Sequence, residues 1–441
     1  MRKIVLLVSM FAIAANMMAA DHVMAATKHA PKQEVSATLN LSLQEAQDYA
    51  VAQNRSLKNA SLAVQKAYAT RWQTIASMLP SVDMSWAYQS MMGYKMNFGG
   101  MPIEMPDNGT LGITASVGIN GQAIVGALLN NTAIEMQKLN LEISEDNLRA
   151  SVKSSYASVL VLEDVVKLLD SSLKNIENLA AMTQRSVEVG AAEQTTADQI
   201  LVRVNTLKNN INANKRSTQL AINALKVLLN VPAETELTLT TQLSDMLSAE
   251  AIVALLGKDF VLENNLSYQT LAKNVELAKK NVHMAGWAYG PTIGVGYQYS
   301  EKDYFGKKEG FNMTPPNALS IQVSMPLWSS GKRAAGVVEK KIALEEARNT
   351  FEETADNLGI QNEQLRYNLQ NAYETYTNEQ ENMGVTQRVF DNTSRKFQQG
   401  VASNLDLVNA SNDLITAQST YVQAVLTLVN AEVELEKFLN L

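Results

Sequence analysis

The sequence predicts a mixed α+β membrane protein built as a tandem internal repeat. Three observations carry this: segments recurring at a nearly constant offset, four runs that alternate apolar with small polar residues, and two very long stretches with heptad spacing.

The N-terminus, MRKIVLLVSMFAIAANMMAA, has a basic pair (Arg2, Lys3), an apolar run and then small residues. This is the layout of a secretory signal peptide, assigned to 1–26 with cleavage after Ala20 or Ala26. Nothing later reaches the roughly 18 apolar residues of a spanning helix, so the mature chain is soluble or crosses a membrane as strands. The absence of cysteine excludes disulfides and thiolate metal sites, and the three histidines, His22, His29 and His283, are too scattered for a metal centre. No cofactor is expected. A formal net charge of −7 without a basic cluster argues against nucleic acid as a partner.

Repeat 1 is assigned to 27–230 and repeat 2 to 263–441, with a connector at 231–262 placed near the middle of the helical part. Each repeat opens with a helix ended by proline: Asn54 to Pro80 matches Asn265 to Pro291, with Asn54/Asn265, Ser56/Ser267 and Pro80/Pro291 identical. After each proline the period changes to two, giving hairpins at 81–119 and 292–327. Ile113 and Val117, then Val295 and Val323, stand on the apolar side, opposite glycine, serine, threonine and glutamine. Such strands commonly cover a soluble core. The small polar side, the aromatics Trp86, Tyr88, Tyr297, Tyr299 and Trp328, and the signal peptide favour a face turned to lipid. The longer loops, SMMGYKMNFGGMPIEMPDNG and SEKDYFGKKEGFNMTPPNA, would then face outside. Four strands cannot close a barrel and open edges are not tolerated in lipid, so several chains must share one barrel.

Long helices follow at 127–189 and 333–399, about 95 and 100 Å at 1.5 Å per residue. Leu148, Val152, Val159, Leu169, Ile176 and Thr183 belong to a seam with steps of four and three, and Leu365, Leu369, Ala372, Tyr376, Phe390 and Phe397 belong to its counterpart. Returning helices are expected at 194–229 and 403–440. Between each long helix and its return stands one glycine, Gly190 or Gly400, separated by 400 − 190 = 210 residues. At that offset Thr183, Arg185, Leu229 and Asn230 recur as Thr393, Arg395, Leu439 and Asn440. Glycine is expected there because a helix C-terminal turn commonly needs a left-handed residue.

With these pieces in order, and with RKFQQGVASNLDLVNASNDLITAQ, VSMPLWSSGKR and LKVLLNVP as its most specific segments, the chain from about Leu41 to Leu441 resembles the TolC-type outer-membrane efflux proteins. The resemblance implies a homotrimer with a 12-stranded β-barrel, four strands per chain, in the bacterial outer membrane, continued by an α-helical coiled-coil barrel in the periplasm. It implies an exit duct of a tripartite efflux or type I secretion system, passively conducting small molecules or proteins. Its partners would be outer-membrane lipid, a periplasmic adaptor (membrane fusion protein) and an inner-membrane pump. Adaptor contact would fall on the tips, at Val189, Gly190, Ala191, Gln399, Gly400 and Val401. A gate constriction would fall on Asp406 and on Asn409, where a second aspartate is common in the family. Asp406 also has a local reading, as a helix-start residue beside a positive dipole end. Thr196 stands at the copy-one equivalent of Asp406, and Asn120 replaces the proline that Pro326 supplies in copy two.

No enzymatic motif is present: GVG at 294–296 lacks a third glycine, and SSGKR lacks the upstream glycine and the hydroxyl of a phosphate-binding loop. Two other readings compete, a secreted or periplasmic coiled-coil scaffold without a pore and a partnerless porin. The four strands speak against the first and the long helices against the second.

Overall fold

The computed structural model describes residues 38–190, 192–305 and 315–441. The signal segment and Ala191 lie outside them, as does part of the second long loop. In chain order the elements are β1 (Thr38–Leu41), α1 (Leu43–Gln53), α2 (Arg55–Ala76), β2 (Ser81–Gln89), β3 (Lys95–Phe98), β4 (Met101–Glu104) and β5 (Asp107–Asn120). Then come α3 (Gly121–Glu188), α4 (Gln194–Leu229), β6 (Glu236–Leu239), α5 (Leu243–Met246), α6 (Ala249–Leu256) and α7 (Leu266–Gly286). The chain ends with β7 (Thr292–Phe305), β8 (Asn317–Ser324), α8 (Lys332–Gln398) and α9 (Asn404–Leu439). Among the described residues no helix is long and apolar enough to cross a membrane.

Two compact units result, and neither is a repeat. One comprises the described part of Met1–Ser61 with Asn140–Tyr268 and Thr354–Leu441; the other comprises Leu62–Leu139 and Gln269–Glu353. Each draws on both halves of the sequence.

In the first unit the heptad seams of α3, α8 and α9 turn inward. Leu148, Val152, Val159, Leu169 and Ile176 of α3 are buried, as are Leu369, Ala372 and Phe390 of α8 and Leu407, Leu414, Leu428 and Leu435 of α9. The chain entry is pinned by Tyr156, fully buried, whose hydroxyl donates to the Leu41 carbonyl at 2.9 Å and accepts from the Thr241 N–H at 3.0 Å. That bond holds the parallel pair β1–β6, which alternation over four-residue strands is too short to reveal. β6, α5 and α6 fall within the segment expected to be a connector.

The paired asparagines have one job done twice. Asn54 Oδ1 accepts from the Ser56 and Leu57 N–H groups at the start of α2, and its Nδ2 donates to the Leu228 carbonyl near the end of α4. Asn265 does the same for Ser267 and Tyr268 of α7 and for Phe438 of α9. One side chain thus caps one helix and clamps the end of another. The end it clamps turns on a second asparagine, Asn230 (φ 55°) or Asn440 (φ 59°), each in the left-handed region.

In the second unit β2, β5, β7 and β8 form one antiparallel sheet in that order, the central β5–β7 pair joining the two hairpins. The first helix of repeat 1 ends at Ala76 and is preceded by a separate helix, α1, because Asn54 breaks the run. α3 begins at Gly121, six residues before the expected 127, because Asn120 takes the place of proline and caps it, Oδ1 accepting from the Ala123 N–H at 2.7 Å. The first long loop contains a hairpin of its own, β3–β4, built on a Gly99–Gly100 turn with both φ positive. Between α7 and α3 of this unit, Glu276 accepts from Lys280 at 2.7 Å and Lys273 at 3.2 Å, and Lys273 also meets Glu135 at 2.6 Å. These contacts, Lys280 first, hold the Glu276 carboxyl down at about 2.

Candidate functional site

Two regions collect the residues that the sequence singles out. The first is the pair of helix turns. Gly190 has φ +73° and Gly400 φ +74°, in the left-handed region that glycine enters without the Cβ penalty other residues meet. The Gly400 N–H donates to the Phe397 carbonyl at 2.9 Å and the Val401 N–H to the Lys396 carbonyl at 2.9 Å, a Schellman closure that satisfies the last carbonyls of α8. The Gly190 N–H donates to the Val187 carbonyl at 2.9 Å in the same way. Val189 is 79% exposed and Val401 74%, so each turn presents a bare apolar side chain; Gln399 is exposed too. Ala191 lies outside the described residues. Just behind the turns Leu179, Ile200, Phe390 and Leu407 form a dry core from all four helices. Between the turns runs a groove of about 640 Å³ lined by Thr183, Arg185 and Thr196 from one copy and by Phe397, Gln399 and Gly400 from the other.

Asp406 and Asn409 are exposed one turn apart on α9. The Asp406 carboxylate is occupied locally: Oδ2 accepts from the Ser403 hydroxyl at 2.7 Å and the Ser403 N–H at 3.0 Å, while Ser403 Oγ accepts from the Asp406 N–H at 3.2 Å. This is a capping box. Hydrogen bonds from the Ser403 side chain and then its backbone hold the carboxyl below its ordinary range. Copy one has Glu193 and Thr196 at these places, the two chemistries reversed, and α4 starts without a side-chain cap.

The second region is the sheet face. Register pairs Val117 with Val295 and Val295 with Ile321, and aligns Ile119, Ile293 and Val323 in the next row. Ile113 stands between Met84 and Tyr299. All four singled-out residues therefore share one face, opposite a face of Ser85, Gly112, Thr114, Ser116, Gly294, Gly296 and Ser320. On the apolar face Trp86 is 68% exposed, Ile321 70% and Leu319 71%. Among the described residues β2 and β8 each pair on one side only. An apolar face of this size with two open edges is uncovered in water.

Sequence reasoning missed a charged cluster: Lys153 Nζ meets Glu432 at 2.8 Å and Glu436 at 2.7 Å, with both Lys153 and Glu432 largely buried. Its only sequence signal is a lysine one position after the seam residue Val152.

The chain thus combines a sheet that has one exposed apolar face with long helices returned at glycines. The chain belongs to the outer membrane efflux protein family, whose profile matches residues 47–231 and 259–441, and its place is the outer membrane. Outer membrane efflux protein BepC of Brucella suis is 23% identical over 301 residues, covering 66% of this chain and 63% of BepC, so the match leaves over a third of that relative unspanned. The probable efflux pump outer membrane protein TtgC of Pseudomonas putida is 23% identical over 370 residues, 77% of this chain and 72% of TtgC. The crystal structure of outer membrane protein VceC from Vibrio cholerae has the same fold at TM-score 0.70 and 14% identity, covering 90% of this chain and 95% of VceC.

Proposed function

We propose that this chain is the outer-membrane exit duct of a tripartite efflux or type I secretion system. The observation that carries the reading is the open-edged sheet with one apolar face, joined in the same chain to helices that end in two glycine turns. Three copies supply four strands each to a 12-stranded barrel, with Ile113, Val117, Val295 and Val323 against lipid and the serine- and glycine-rich face toward the lumen. The helices form the periplasmic tube. A periplasmic adaptor contacts the turns at Val189, Gly190, Ala191, Gln399, Gly400 and Val401, and an inner-membrane pump supplies the driving force. The exposed valines and the adjoining groove support this docking, since an adaptor covers apolar surface that water does not.

Asp406 and Asn409 narrow the tip. Three like charges around one axis repel, so closure comes from packing at Leu407, Ala410 and Leu414 together with cations or hydrogen bonds across the ring. The test is fractionation followed by planar-bilayer recording. The protein is expected in outer-membrane fractions, with cation-preferring conductance blocked by divalent cations, and Asp406→Asn should weaken preference and block together. Unchanged selectivity in that variant leaves Asp406 as a helix cap alone.

A further inference from the structure

Residues 91–105 read MMGYKMNFGGMPIEM and hold five of the chain's 19 methionines. They build the β3–β4 hairpin. Its register sets Met96 opposite Ile103 and Phe98 opposite Met101, and the Met105 N–H donates to the Tyr94 carbonyl at 2.9 Å. With a side-chain period of two, Met96, Met101 and Met105 share one face, Met101 on one diagonal of Met96 and Met105 on the other. Diagonal neighbours across a ladder stand about 7–8 Å apart, a gap that two unbranched thioether side chains with an ion between them can span.

Burial does not explain these residues. Met96 is 42% exposed, Met101 74% and Met92 94%. Among the described residues no group of three or more His, Cys, Asp or Glu is placed to hold a metal, and the chain has no cysteine, so its concentrated soft donors are these thioethers. A thioether carries no charge, does not titrate, and discriminates in favour of soft monovalent ions over magnesium, calcium or zinc. We propose that Met96, with Met101 or Met105 as second donor, forms a binding site for a soft monovalent cation, Cu(I) or Ag(I). The site belongs to a different compact unit from the helix turns and does not depend on their role.

The experiment titrates the detergent-solubilised full chain with silver nitrate in chloride-free buffer, following the methionine methyl signals by NMR and the heat of binding. Saturable binding is expected, with shifts concentrated on Met96, Met101 and Met105 and none produced by Zn(II) or Mg(II). Met96→Leu should weaken Ag(I) binding about tenfold or more, whereas Met84→Leu, on β2, should leave it unchanged. Should Met96→Leu fail to fold, the double variant Met101→Leu/Met105→Leu must remove the binding instead. Absence of binding, shifts spread evenly over all methionines, or unaltered affinity in these variants would overturn the proposal.

Discussion

Gly400, at φ +74°, closes its helix with two backbone bonds, and a β-branched residue there meets the left-handed penalty of about 1–2 kcal/mol. Gly400→Val is therefore expected to raise amide exchange through residues 395–405 and to lower export while leaving the amount of assembled protein nearly unchanged; unchanged exchange would show that the turn tolerates the side chain. Asn265→Ala removes a helix cap and a clamp on the Phe438 carbonyl together, at a cost of about 1–2 kcal/mol in denaturant unfolding. The glycines were legible in the sequence because a lone glycine between two helical stretches has a local cause. The asparagines were visible as an identical pair, but their purpose was not, since the carbonyls they clamp lie 174 and 173 residues away. Tyr156 was silent for the same reason: its partners come from Leu41 and Thr241, and nothing near it in sequence requires a hydroxyl.

At the scale of elements, long periodic helices declared themselves because a seam of many heptads repeats its own evidence, whereas β1, β3, β4 and β6 have four residues each and too few alternations to register. The Gly99–Gly100 pair was the available signal for the β3–β4 hairpin. Charged residues flanking a seam also escape a pattern that scores only apolar positions. Lys153 joins α3 to α9 through Glu432 Oε1 and Glu436, and among the described residues the buried Glu432 Oε2 has no hydrogen-bond partner. Burial, offset in part by Lys153, raises the Glu432 carboxyl above its usual range. Lys153→Met strands Glu432, so a loss of about 3–5 kcal/mol is expected, and adding Glu432→Leu should recover much of it. Failure of the second change to rescue the first would mean that the lysine acts through packing. Glu276 has the opposite sign: its folded value, lowered from 4.5 to about 2, adds stability above the unfolded value. That contribution should fade as pH falls from about 4.5 to 2, and Glu276→Gln should flatten the thermal-stability profile over this window.

At the scale of the molecule, the tandem repeat was legible as sequence, but the compact units were not, because each is assembled from both repeats. Side-chain alternation sufficed to predict the two faces of the sheet; its strand order rests on the β5–β7 pairing across distant segments. A cation at the bilayer midplane costs about 2–4 kcal/mol, so Val117→Arg should deplete assembled protein from outer membranes while Ser116→Arg, on the opposite face, is tolerated. Equal loss from both would overturn the proposed orientation. The central claim is that copies close one barrel through the open edges of β2 and β8. The chain has no cysteine, and two strands separate β2 from β8 within one sheet, beyond the reach of a disulfide. Cysteines placed in pairs along the two edges, Ser85 with Gln322 among them, can therefore bond only between copies. Oxidised in cells and resolved by denaturing electrophoresis, at least one pair should give covalent products that stop at three chains. Products that climb past three, or none at any pair in membrane-assembled protein, would contradict the shared barrel.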